Sequence, residues 1–135
     1  VISKVLDALH ADVRVGVVAV EEDLGAIDVY HIMQALDMAV VSRFHAMVKA
    51  LSLGKPTVVI GWSHKYMEVM EEFGLGRYVL HDAGATVPLV ASLVDDLRSD
   101  LPRCRALIES RLDGVRGLAM DQIDYVTGTF LGGAA

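Results

Sequence analysis

Residues 37–65 read DMAVVSRFHAMVKALSLGKPTVVIGWSHK, and their pattern decides the fold. The stretch alternates strand, helix, strand and the opening of a second helix. Residues 38–41 are a short apolar run of strand type. Residues 44–53 put Phe44, Met47, Val48 and Leu51 on one helical side, with Ala46 and Ala50 small enough for close approach. Gly54 follows where a left-handed residue ends a helix. Pro56 opens the strand 57–60 at a position that needs no ladder donor. From Lys65 to Phe73 the chain is amphipathic, with Tyr66, Met67, Val69, Met70 and Phe73 inward and Glu68, Glu71 and Glu72 outward.

Outward from this stretch the alternation continues. Residues 1–10 carry Val1, Ile2, Val5, Leu6 and Leu9 at helical spacing, and the β-branched run VRVGVVAV at 13–20 predicts a strand. An acidic turn, Glu21-Glu22-Asp23, leads to a helix over 25–36 with Ile27, Tyr30, Met33 and Leu36 on its apolar side. Residues 78–80 read as a last short strand. Thr86-Val87-Pro88 opens a helix with proline in its first turn, and Val90, Leu93, Val94 and Leu97 form its stripe. A longer stripe runs through Leu101, Cys104, Ile108, Leu112, Val115, Ala119, Ile123, Val126 and Phe130, with Gly114 and Gly117 expected to kink or break it.

Four strands alternating with helices through short connections predict an α/β fold. The expected architecture is a Rossmann-like, doubly wound parallel sheet of about four strands, flanked by helices, with a C-terminal helical extension. Residues 1–100 would form the α/β lobe and 101–135 the helices packing on it or on another lobe. The chain opens inside a helical pattern and reads as a fragment or excised domain.

Composition narrows the function. The 135 residues carry a net charge of −6 without a basic run, which speaks against nucleic acid as partner. The hydrophobic fraction is 53%. No apolar run reaches the ~20 residues of a membrane-spanning helix, so the excess fits strands buried on both faces. The single cysteine, Cys104, lies in a helical stripe and is expected in the core; it excludes an intrachain disulfide. His10, His31, His45, His64 and His81 lack zinc-site spacing, so no metal is expected. There is no P-loop, GxSxG or GxGxxG. The acidic triplet resembles that of a phosphoacceptor receiver, but the 38–41 strand ends in Ser42-Arg43 where a receiver needs aspartate.

The informative residues sit where two strands end: Ser42-Arg43-Phe44-His45 and Ser63-His64-Lys65. Open α/β sheets bind ligands at the carboxyl ends of their strands. Helix N-termini attract anions, and a cation placed there costs about 0.3–1 kcal/mol when exposed. Both helices nevertheless open with cations. Two readings are open. The cations pair with nearby carboxylates, or a small anion sits between them and the helix ends, with Ser42 and Ser63 as N-caps or hydroxyl donors. Trp62 is either a ring-stacking residue or, more commonly at a strand end, a buried one.

The run Asp37 to Ala46, then Ala50-Leu51-Ser52-Leu53-Gly54-Lys55-Pro56-Thr57, then Lys65, resembles the polysaccharide pyruvyl transferase family over about a fifth of the chain. The matching features are an aspartate before a short strand, an Arg-Leu-His-Ala helix start, an Ala…Gly-x-Pro turn and a lysine after the next strand. Phe44 replaces the leucine, and Trp62 and His64 stand where tyrosine and often proline are expected. The resemblance implies the C-terminal, donor-side lobe of a two-lobed GT-B-like enzyme, cytoplasmic or at the inner membrane surface. Such an enzyme moves a pyruvyl group from phosphoenolpyruvate to a sugar of a cell-surface glycan or its precursor, without a cofactor. It implies His45 and Lys65 as catalytic residues and Arg43 as substrate-binding; the reading of the two corners adds Ser42, Ser63 and His64 as substrate-binding. Protonation makes the enol carbon electrophilic, a task suited to histidine.

The implied partners are phosphoenolpyruvate, a saccharide acceptor, an N-terminal lobe of the same enzyme and a second copy in a homo-oligomer. The isolated piece is expected to be inactive, with part of its C-terminal stripe facing the other lobe. The alternatives are a GT-B glycosyltransferase or nucleotide-sugar epimerase lobe binding a UDP-sugar, and a non-catalytic α/β binding domain.

Overall fold

A computed structural model describes residues 7, 11, 16–20 and 22–131. Its elements follow the alternation expected from the sequence: α1 (Ala26–Ala35), β1 (Ala39–Val41), α2 (Phe44–Ser52), β2 (Thr57–Gly61), α3 (His64–Glu72), β3 (Val79–His81), α4 (Val87–Ser99) and α5 (Leu101–Val126). The three strands form one parallel sheet in the order β1-β2-β3. Right-handed crossovers between strands laid side by side in chain order put α2 and α3 on one face. The edge-to-face contact of Phe44 in α2 with Tyr66 in α3, centroids 5.6 Å apart, agrees. Helix α4 also packs on β2.

Why β2 lies in the centre is plain from its burial. Thr57, Val58 and Val59 are all inaccessible, so both faces of the strand are covered, as an apolar run in a parallel sheet requires. The Thr57 hydroxyl, at the start of this strand, donates to the Lys55 carbonyl at 2.8 Å. Around β2 the larger of two buried clusters gathers Met47 and Leu51 from α2, Tyr66 and Met70 from α3, Leu75 and Tyr78 from the following turn, Leu97 from α4, and Cys104 and Ile108 from α5, while Met33, Ala39 and Ala50 form the smaller. Cys104 is a core residue, as its place in the stripe predicted. Gly54 ends α2 with φ of 70°, the left-handed conformation expected of it.

Three expectations need correcting. The run 13–20 adds no fourth strand within the described residues: 16–20 have no regular structure, 13–15 lie outside them, and Val18 is 88% exposed. A β-branched run is a strand only when a neighbour supplies its ladder and covers a face, and for residues 16–20 nothing among the described residues does. The predicted helix over 1–10 likewise lies outside the described residues apart from Asp7. With three strands in chain order, the described sheet has no reversal of strand order and so no topological switch point.

The second correction concerns α1. Of its apolar side only Met33 is buried, while Ile27 is 72% exposed. Third, Gly114 and Gly117 neither kink nor break α5, which runs 26 residues without interruption. Each glycine costs ~1 kcal/mol against alanine in a helix, but the remaining good helix formers carry the ladder through both. The first turns of α5 are packed, and beyond Leu112 its apolar residues Val115, Leu118, Ile123 and Val126 are exposed.

Candidate functional site

The carboxyl ends of β1 and β2 run directly into α2 and α3, so the two helix N-termini lie at the same edge of the sheet. Tyr66 ties them together. Its ring is 4% exposed, and its hydroxyl donates to the Ser42 carbonyl at 3.3 Å, linking the second corner to the first. The ring occupies space that Gly61 leaves free: a Cβ at position 61 would lie 2.7 Å from Tyr66 carbon atoms. Glycine at the last position of a strand signals such close approach, so this link was available in the sequence but went unread.

The caps differ from expectation at one corner. Ser63 is the N-cap of α3, and its hydroxyl accepts from the Lys65 N–H at 3.4 Å. Ser42 is not the N-cap of α2. The helix begins at Phe44, so Arg43 takes that position, with no side-chain hydrogen bond to the first turn. An arginine has no acceptor to offer, and this helix start therefore keeps N–H groups uncapped by any side chain. Neither α2 nor α3 has an acidic residue in its first turn.

A cavity of about 600 Å3 opens between the corners, lined by Phe44, His45, Trp62, Ser63, Lys65 and Tyr66. Three of the predicted site residues, His45, Ser63 and Lys65, thus meet on one wall system. Ser42, Arg43 and His64 lie on the same loops but do not line it. His64 has the simpler explanation: its Nε2 is 3.9 Å from Glu68 Oε1, one helical turn on. Arg43, His45 and Lys65 have no carboxylate partner among the described residues. His45 makes only an edge contact with Phe44. Trp62, expected to be buried, is 69% exposed. The strand ends at Gly61, and Tyr66 already fills the space beneath the turn.

His81 also belongs to this edge. It pairs with Gly61 in the sheet register, and Asp82 lies 3.1 Å from its Nδ1. The aspartate of the family-like motif is elsewhere: Asp37 accepts from Arg105 at 2.8 Å and ties the start of β1 to α5. No group of three His, Cys, Asp or Glu side chains among the described residues is placed to hold a metal ion.

A second polar cluster lies at the opposite edge, where β3 begins. Asp100 accepts from Arg77 at 2.9 Å, from Arg103 at 2.7 Å and from the Tyr78 hydroxyl at 3.3 Å, with Cys104 Sγ 3.7 Å from that hydroxyl. Burial pushes the Asp100 carboxyl up, but the Arg103 hydrogen bond and the charges of Arg103 and Arg77 outweigh it and hold the carboxyl below its usual range. Burial raises both the Tyr78 hydroxyl and the Cys104 thiol above their ordinary values. The Tyr78 hydrogen bond raises Arg77.

Chemically, the first site offers two helix N-termini, with an imidazole and the Lys65 ammonium lining an aromatic-walled cavity and the Arg43 guanidinium on the adjoining loop. Groups of these kinds are the ones that suit a small anion and proton transfer. Comparison of the chain with family models, curated proteins and solved structures found no match.

Proposed function

We propose that the chain is the donor-side lobe of a polysaccharide pyruvyl transferase, a GT-B-like enzyme whose sheet continues into a doubly wound arrangement beyond the described strands. The observation that carries this reading is the pair of helix N-termini bearing Arg43, His45 and Lys65, none of them balanced by a carboxylate among the described residues. Phosphoenolpyruvate has a phosphate and a carboxylate to place against them. The motif resemblance supplies the reaction, and the geometry supports its residue roles.

In this reading Arg43 and Lys65 hold the donor's charges, with Ser42, Ser63 and His64 at the rim, and Lys65 neutralises charge on the departing phosphate. His45 delivers a proton to the methylene carbon, which makes the neighbouring carbon electrophilic. Two acceptor hydroxyls form bonds to that carbon, and its bond to the phosphate oxygen breaks. Of the two protons the hydroxyls release, one replaces that given by His45 and the other leaves with phosphate. The product is a ketal. The lobe works at the cytoplasmic face, with the remaining catalytic groups brought by an N-terminal lobe.

An NMR titration tests this. Phosphoenolpyruvate is expected to shift the resonances of Arg43, His45 and Lys65, and UDP-glucose to leave them unchanged. Saturable UDP-glucose binding at these residues, or no shift with phosphoenolpyruvate, would overturn the assignment.

A further inference from the structure

We propose that Trp62 is the platform on which the saccharide acceptor's pyranose ring stacks. The assignment rests on the pyruvyl transfer reading and adds the residue that holds the second substrate. Trp62 is 69% exposed and makes no hydrogen bond or ring contact among the described residues, yet it does not stand alone on the surface. It lines the same cavity as His45 and Lys65, beside the rings of Phe44 and Tyr66. Its backbone is pinned on both sides: Gly61 is paired with His81 in the sheet, and Ser63 caps α3. The indole is therefore held out into the cavity mouth by the fold.

The chemistry of that wall selects a ring with an apolar face. The face of an indole carries negative π density, so a three-carbon acid bearing both a phosphate and a carboxylate gains nothing from it. Such an acid also fills only part of a cavity of about 600 Å3. A pyranose fits both facts. Its C–H face lies on the indole, while its rim of hydroxyls reaches Ser63, His45 and Lys65, the polar groups of the lining.

Trp62 is the chain's single tryptophan, so its emission reports on this position alone. The chain is titrated with methyl glucoside, methyl galactoside and methyl mannoside in the presence of phosphoenolpyruvate. A saturable change in emission with at least one of them is expected. By calorimetry, which needs no tryptophan, Trp62→Ala should weaken that glycoside about tenfold or more and Trp62→Phe much less, while phosphoenolpyruvate affinity should stay within about twofold in both. Glycoside affinity unchanged in Trp62→Ala overturns the platform, as does emission that responds to none of the three. Quenching by uridine diphosphate alone overturns it in favour of a base-stacking residue. Quenching by a glycoside with no binding of phosphoenolpyruvate supports the platform and removes the donor reading instead.

Discussion

The two edges of the sheet treat charge in opposite ways. Where β3 begins, Asp100 is shared among Arg77, Arg103 and Tyr78, with both arginines ion-paired to it. Where β1 and β2 end, His45 and Lys65 line a cavity and Arg43 lies on the adjoining loop, none with a carboxylate partner among the described residues. The first edge joins elements distant in sequence, because Tyr78 and Asp100 bind the start of β3 to the α4–α5 junction. The second edge holds its cations on short loops whose shape is set by Tyr66 and Gly61, leaving the charges themselves free for a ligand. Polar groups that pair with one another and polar groups left without a carboxylate partner among the described residues are thus separated by the length of a strand.

The contrast can be broken by substitution. Tyr78→Ala removes a side chain that is 1% exposed together with the hydroxyl of the Asp100 cluster, and a loss of about 3–5 kcal/mol in urea denaturation is expected. A loss under about 1 kcal/mol would mean the cluster is peripheral to stability. Next in size is Gly61→Ala, whose new methyl meets the Tyr66 ring. It should cost about 1–3 kcal/mol and shift the His45 and Lys65 resonances, because the ring anchors both corners.

The pH dependence of stability separates the edges without a large lesion. Asp100 is depressed in the folded state, so its contribution is present above the unfolded value near ~4 and is lost as pH falls through the lower folded value. Tyr78 and Cys104 are raised, so theirs is full below their unfolded values and is lost as pH rises through the folded ones. Asp100→Asn is expected to flatten the acid limb of a stability-versus-pH series between about pH 2 and 5. An acid limb identical to wild type would refute the role of the arginines.

The smallest effect is expected at the other edge. Lys65→Ala should change stability by no more than about 0.5 kcal/mol, in the stabilising direction, since a cation at a helix N-terminus is unfavourable. Phosphoenolpyruvate affinity should fall about tenfold in the same variant, as loss of one charge-assisted contact implies. A loss of stability above about 1 kcal/mol with unchanged affinity would make Lys65 a structural residue and erase the contrast.

Helix and strand alternation across 26–99 was legible because each element carries its own period, cap or stop: the 3–4 spacing of Met47 and Leu51, Gly54 at a helix end, Pro56 before β2, Pro88 at the opening of α4. The inverted charges at the starts of α2 and α3 were equally legible, since a helix's ends and the charges beside them are local facts. Less could be read of what depends on neighbours. Val17, Val18 and Val20 have strand composition, but no strand lies beside them among the described residues. Trp62 has the size of a core residue, but Tyr66 reached the space first. Ser42 precedes a helix, but the helix starts one residue later than a serine cap requires. Gly114 and Gly117 have the composition of a break, but α5 continues through them.

By itself, then, the sequence determined the class of fold, the order of the elements and the two cationic corners. All of these follow from local periodicity, capping and chain direction. Only the tertiary structure decided that Tyr66 joins the corners and that the indole of Trp62 stands in the cavity they share. It also decided that Lys65 has no carboxylate partner among the described residues. Those outcomes depend on which side chain fills a space or meets a charge first, and distance in the chain does not set that.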